Sequence, residues 1–288
     1  MKLIYLLITA LTVFLLAGCY GQNTEPTISA EVSSEVPPTF DNSFSDPTVS
    51  TLPATEAAPA EETIPTVPAL DISAGAYPMK YEDAEYGTYM EYYVFIPENA
   101  TENMPLVIFL HGDGEVGKFS SLENNDLMVN VRKNYGDDFP FIAISPCTRT
   151  ESWINWPIPE TLMNLIGEVV ETYAIDKDHI IITGHSRGAV GVWHLVNTYG
   201  DYFSAAVPIS CFSWRELQMD TIIHVPIRAF CGNKEHYERT YTNFLREQVD
   251  EIVLAGGDAE FTLFDGASHA DTPELSYTDE LFQWMLSQ

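Results

Sequence analysis

At 288 residues, with 42 acidic against 13 basic side chains and a formal net charge of -29, the chain lacks the clustered Lys and Arg that binding to nucleic-acid phosphates demands. Nucleic acid is therefore not an expected partner, and the acidity reports solubility instead.

Taken in chain order, Met1-Lys2 precede an apolar run from Leu3 to Leu16 that closes in Leu16-Ala17-Gly18-Cys19. The run is too short for a membrane span and has the small-residue ending of a secretory signal. Leu-Ala-Gly-Cys resembles the bacterial lipobox. That resemblance implies a signal over residues 1–19, lipidation at Cys19, and a lipoprotein held at the extracellular face of the cell membrane; the alternative is an ordinary cleaved signal with a chance Cys. From Tyr20 to about Ala76 Thr, Ser, Pro, Glu and Ala dominate, and neither Lys nor Arg occurs. Such a segment buries too little apolar surface to offset its ordering entropy, so residues 20–76 read as a disordered acidic stalk. Residues 77–288 suffice for one domain with a sizeable core, and no internal repeat interrupts them.

Within that domain, strands are expected at Tyr92 to Ile96, Leu106 to Leu110, Phe141 to Ile144, Ile180 to Thr183, Ala205 to Ile209, Ile227 to Phe230 and Phe261 to Phe264. Leu106 to Leu110 is continuously apolar, as a strand covered on both faces must be. Leu162, Leu165, Ile166, Val169 and Val170 recur at three- and four-residue spacing and mark a helix over 161–173. Further helices are expected over 188–198, 241–255 and 279–286. This alternation predicts an α/β domain, a mainly parallel sheet with helices on both faces and no sizeable lid. Ligands bind such sheets beyond the carboxyl ends of the strands.

Directly after the strand ending at Thr183 stands Gly184-His185-Ser186-Arg187-Gly188, a G-x-S-x-G match at a strand-to-helix junction. That context exposes a Ser hydroxyl on a sharp bend, making Ser186 the candidate nucleophile; a helix-capping Ser is the bland alternative. A hydroxyl attacks only if a base takes its proton and a third group orients the base. His269 is the one His beyond the last predicted strand, and Glu235 follows the strand before it. Ser186, Glu235 and His269 thus occur in the order an α/β hydrolase requires, with Glu238 and Asp271 as rival acids and a solvated surface Glu as the alternative reading of Glu235. The turn His111-Gly112-Asp113-Gly114-Glu115-Val116-Gly117 can bring backbone N–H groups to an oxyanion, Asp113 or Gly114 acting with Arg187. No Lys-Ser or Lys-Thr pair closes this turn as a phosphate loop would need. His111, Trp153, Trp156 and His185 are candidates for the substrate pocket, where burying aromatic surface is an equal account of the tryptophans.

Cys147, Cys211 and Cys231 have none of the paired short spacings of a zinc site. A Cys211–Cys231 disulfide and three buried free thiols stand as alternatives. No metal or organic cofactor is called for.

These residues together resemble the polyhydroxybutyrate-depolymerase, feruloyl-esterase and phospholipase/carboxylesterase-like branch of the α/β hydrolases. The likeness spans about Tyr92 to Gln288 and rests on Leu110 to Gly117, Ser145-Pro146-Cys147 followed by Trp153, the bend at Ser186, and the ending Phe282 to Leu286. Where that branch usually carries Asp and Met, this chain has Glu235 and Arg187. The resemblance implies ester substrates, acyl groups on polysaccharides among them. A serine peptidase of the same fold and a non-catalytic binding lipoprotein are the rival functions.

Overall fold

The structure is a computed structural model and describes residues 72–150, 152–235 and 238–288. The expected signal, Cys19 and the stalk up to residue 71 lie outside the described residues. Among the described residues eight strands form one sheet: β1 (Gly75–Asp83), β2 (Thr88–Ile96), β3 (Leu106–Leu110), β4 (Ile142–Cys147), β5 (Ile180–His185), β6 (Ala205–Ile209), β7 (Ile227–Lys234) and β8 (Ala259–Ser268). Their order across the sheet is β1-β2-β4-β3-β5-β6-β7-β8. The β2 strand runs antiparallel to both β1 and β4, and every pairing from β4 to β8 is parallel. The α-helices among the described residues are α1 (Asp126–Tyr135), α2 (Ile158–Thr172), α3 (Arg187–Tyr199), α4 (Met219–Ile222), α5 (Glu238–Leu254), α6 (Thr272–Ser276) and α7 (Asp279–Met285).

The continuous apolar runs are explained by two cores, one on each face. On one face Leu106, Ile108 and Leu110 of β3 and Ile182 of β5 pack with Leu165 and Val169 of α2, Trp193 and Val196 of α3, and Val249 and Ile252 of α5. On the other, Val107, Phe109, Ile181 and Val207 meet Leu127 and Val131 of α1 and Leu281, Phe282 and Met285 of α7. A strand residue therefore finds apolar cover whichever way it points, and each such buried Ile, Leu or Phe contributes roughly 1.5–3 kcal/mol. Among the described residues only the short α4 intervenes between β6 and β7, so no lid is inserted there.

Several boundaries differ from expectation for identifiable reasons. The β1 strand is an edge strand with only Asp83 fully buried; its Gly75 and Pro78 dilute the alternating pattern, a composition tolerated at sheet edges. It starts at Gly75, inside the segment assigned to the stalk, and Ile72 already packs on the core. The α1 helix escaped notice because it is polar apart from one face. It is held at its start by the Asn125 side chain, which accepts from the Met128 N–H at 3.0 Å. Ser145 and Pro146 do not end β4, which runs on to Cys147. Among the described residues no helix is long and apolar enough to cross a membrane.

The Cys211–Cys231 disulfide is not formed: Cys147, Cys211 and Cys231 are buried free thiols. Burial pushes Cys147 up to about 11 and Cys211 and Cys231 up to about 12. A thiol held so far above neutrality supplies almost no thiolate, the reactive form. In the folded protein at pH 8, peptide mapping after iodoacetamide treatment should leave all three unmodified, with full reaction in urea. Recovery of a peptide linking Cys211 to Cys231 would contradict this assignment.

Candidate active site

Ser186 lies between the end of β5 and the start of α3 with φ 57° and ψ -118°. A non-glycine residue held there carries roughly 1–3 kcal/mol of backbone strain, which persists only where the surroundings enforce it. Enforcement is visible on both sides: the Ser186 N–H donates to the Ile209 carbonyl at 2.9 Å, and the Ser186 carbonyl accepts from the Ala189 N–H at 3.0 Å. The flanking glycines make the bend sterically feasible. A Cβ on Gly188 would lie 1.8 Å from the Leu110 carbonyl oxygen, and one on Gly184 would lie 2.7 Å from the Gly188 carbonyl carbon. Beneath the bend, the buried Thr183 hydroxyl bridges the Val207 carbonyl and the Tyr277 hydroxyl, each at 2.8 Å.

His269 follows the last residue of β8, and Glu235 the last residue of β7. Parallel pairing of these strands brings the two side chains together, and His269 Nδ1 and Glu235 Oε2 form a short charge-assisted hydrogen bond. Glu235 is only 1% exposed, which eliminates the solvated-surface reading. Its other oxygen accepts from the Ser210 hydroxyl at 2.6 Å and the Gly232 N–H at 3.3 Å. Burial alone would push this carboxyl up; the hydrogen bonds from His269 and Ser210, the His269 charge and the Gly232 amide together outweigh burial and hold it below the usual carboxylate range. The rival Asp271 spends one oxygen on the Ser268 N–H and hydroxyl, at 2.9 and 2.7 Å. The side chain of the other rival, Glu238, lies outside the described residues.

His185, next to Ser186 in the chain, has its ring centroid 4.5 Å from that of His269. Ser186 and His269 therefore share one side of the candidate site. Among the described residues Ser186 Oγ makes no hydrogen bond to His269, and such bonds commonly tighten only when substrate arrives.

The turn that follows β3 lies against Ser186, since a Cβ on Gly112 would sit 3.4 Å from Ser186 Cβ. Asp113, Gly114 and Glu115 form a 3-10 turn, and Arg187 opens α3. First-turn amides have no carbonyl ahead of them in their own helix, so both elements present N–H donors. The two are tied together by a forked ion pair, with Arg187 Nε and Nη2 each 2.9 Å from a different Asp113 oxygen. The same guanidinium lies 4.6 Å from the centre of the Trp214 ring.

Two of the expected pocket residues are instead structural. His111 is fully buried; its Nδ1–H donates to the Gly112 carbonyl at 2.7 Å and its Nε2 accepts from the Thr148 N–H at 3.1 Å. Burial also lowers its pKa, which the Gly112 and Asp113 interactions only partly offset. Trp153 is 1% exposed and donates from Nε1 to the His111 carbonyl at 2.9 Å, so it braces the turn after β3 from within. Trp156, by contrast, is 72% exposed and stands edge-on to Tyr86 at 6.2 Å. His185 contacts His269 rather than an open pocket. Sequence reasoning missed Ser210, Thr272, Asp126 and Trp214. Ser210, which follows β6 directly and has φ 60°, was open to detection by its strand-end position. Among the described residues no group of three or more His, Cys, Asp or Glu side chains is arranged to hold a metal ion.

No family model matches the sequence, and a search of curated proteins finds no relative. Solved structures do share the architecture. A thermostable esterase is 23% identical with a TM-score of 0.66, the match covering 74% of this chain and 63% of that one, so the chain spans less than two thirds of that esterase. The substrate-bound fluorophosphonate-binding serine hydrolase F of Staphylococcus aureus is 14% identical with a TM-score of 0.57, over 75% of this chain and 100% of that one. A feruloyl esterase module from Clostridium thermocellum, complexed with sinapinate, is 15% identical with a TM-score of 0.54, over 74% and 89% of the two chains. The common architecture is the α/β-hydrolase fold.

The depressed Glu235 pKa has a consequence for stability. The interactions that lower it stabilise the fold fully above the unfolded-state value of roughly 4.3, and that contribution is lost as pH falls through the lower folded value. Urea midpoints measured from pH 7 down to pH 3 should therefore fall more steeply for the wild type than for Glu235→Gln. Parallel curves would contradict the assignment.

Proposed function

We propose that this α/β-hydrolase chain is a serine ester hydrolase in which Ser186 is the nucleophile, His269 the general base and Glu235 the orienting acid. The observation that carries the reading is the buried Glu235 carboxylate bonded to His269 Nδ1 beside a serine on a strained strand-to-helix bend. With Nδ1–H directed to Glu235, Nε2 is the nitrogen left to take the Ser186 proton.

In the first half-reaction Ser186 Oγ bonds to the ester carbonyl carbon as its proton passes to His269 Nε2. Glu235 stabilises the resulting imidazolium. The carbonyl electron pair moves onto oxygen, where the N–H groups of Arg187 and of Asp113 or Gly114 receive it; one such donor is typically worth about 3 kcal/mol. Collapse breaks the bond to the alcohol oxygen, which takes the proton from His269, and leaves an acyl-enzyme. Water then attacks that ester with His269 accepting its proton, and in the second collapse Ser186 Oγ leaves and takes that proton from His269, and the carboxylic acid is freed.

The finer reading is an extracellular enzyme, anchored to the membrane through lipid on Cys19, that removes acyl groups from polysaccharides. It is supported by the lipobox-like Leu16 to Cys19, by the short connection through α4 between β6 and β7, and by the exposed Trp156 beside Tyr86. The feruloyl esterase among the structural neighbours agrees with it.

A fluorophosphonate probe should label the wild type and leave Ser186→Ala unlabelled, and turnover of p-nitrophenyl acetate should drop at least roughly a thousandfold in that variant. Labelling that survives Ser186→Ala would refute the nucleophile, and a wild type that never labels would favour a binding protein. Release of acid from acetylated or feruloylated xylan tests the substrate class; activity confined to small soluble esters would remove polysaccharide from the proposal.

A further inference from the structure

The residue just before the nucleophile is not free to face substrate. His185 Nε2 lies 3.0 Å from the main-chain carbonyl oxygen of His269, and because a carbonyl only accepts, Nε2 must carry the proton. Its Nδ1 lies 3.4 Å from an Asp126 carboxylate oxygen at the start of α1, and its ring is tilted 38° against the His269 ring at 4.5 Å. Glu115 of the oxyanion turn and Asp126 are the acidic groups near His185; burial first, and then Asp126, raise the Glu115 carboxyl. His185 therefore spans from α1 to the loop that carries the base, and its own backbone is the last residue of β5.

We propose that His185 is a positioning residue, one that fixes the His269 loop relative to Ser186 through the His269 carbonyl. Thr272 Oγ1 contacts both the His269 carbonyl, at 2.9 Å, and Ser210 Oγ, at 2.6 Å, while Ser210 Oγ also reaches Glu235 at 2.6 Å. Each hydroxyl has one proton to donate, so these three contacts share two protons. When Ser210 donates to the Glu235 carboxylate, Thr272 has one proton for two acceptors, Ser210 Oγ and the His269 carbonyl, whereas the His185 Nε2–H is committed to that carbonyl. The histidine and the hydroxyl relay thus divide the work: the relay holds the acid, and His185 holds the main chain of the base. Without the His185 donor, Thr272 is left as the carbonyl's side-chain donor, its proton is lost to Ser210, the relay to Glu235 weakens, and His269 is free to drift from Ser186.

This inference rests on the serine-hydrolase reading for its kinetic consequences but not for its structural ones. In His185→Phe the aromatic contact survives and the donor is lost; in His185→Gln the side-chain amide nitrogen takes nearly the place of Nε2. Misplacing a catalytic group by about an ångström costs on the order of a hundredfold in rate. His185→Phe should lower kcat on p-nitrophenyl acetate roughly 10- to 100-fold with KM changed less than about threefold, and His185→Gln should recover most of the loss. Independently of turnover, the downfield proton resonance of the His269 Nδ1–H bonded to Glu235 should broaden or vanish in His185→Phe and be retained in His185→Gln. Folding is checked by the urea midpoint at pH 7. A folded His185→Phe protein with wild-type kcat and an intact downfield resonance, or a His185→Gln protein no better than His185→Phe, would overturn the proposal. A wild type that neither turns over nor labels, yet shows the resonance and its loss in His185→Phe, would instead refute the hydrolase reading and leave the role of His185 standing.

Discussion

At Gly188 the backbone passes so close to the Leu110 carbonyl that a methyl group would stand 1.8 Å from its oxygen. The rest of the site depends on that approach. It lets α3 start directly over the end of β3, so the first amides of α3 meet the turn that follows β3. It also compresses the connection from β5 to α3 into one residue, and Ser186 takes up the strain at φ 57°. Overpacking a well-filled interior ordinarily costs about 1–3 kcal/mol. Here the obstacle is backbone on a central strand, which has little room to yield.

Around that bend the neighbours of Ser186 are spent on structure rather than display. Arg187 forks onto Asp113 and ties the turn after β3 to the start of α3, while His185 bonds the main chain of His269. From below, His111 and Trp153 brace the same turn with buried hydrogen bonds. Electrostatically the site is built around a single buried carboxylate. Glu235 accepts from His269, Ser210 and Gly232, and so stays ionised although almost wholly removed from solvent. Removing one donor from such a network leaves buried charge less compensated, so its members are expected to act together.

Much of this was legible in the sequence, for physical reasons. Leu106 to Leu110 and Ile180 to Ile182 are apolar throughout because both faces of the central sheet are covered, and that pattern distinguishes them without any partner being known. Parallel strands end on one side, so residues that follow them converge; Ser186, Glu235 and His269 could be singled out on that ground. What was not legible depends on contacts between distant segments. Nothing local to His111 or Trp153 says that they turn inward, and nothing near Asp126, Ser210 or Thr272 says that they meet His185, Glu235 and His269. The Cys211–Cys231 pairing failed likewise, because spacing does not reveal how two buried thiols are oriented. The edge strand β1, with its Gly and Pro, and the short polar α1 lacked a strong period.

The central claim is that Ser186, His269 and the two sets of backbone amides converge on one reacting carbon. A crystal structure of the protein after reaction with a fluorophosphonate tests it most directly. The account predicts phosphorus bonded to Ser186 Oγ, its oxygen about 2.7–3.1 Å from the N–H of Arg187 and from that of Asp113 or Gly114, and His269 Nε2 within hydrogen-bond reach of the adduct. An adduct on another residue, or one on Ser186 whose oxygen faces solvent with His269 turned away, would contradict it.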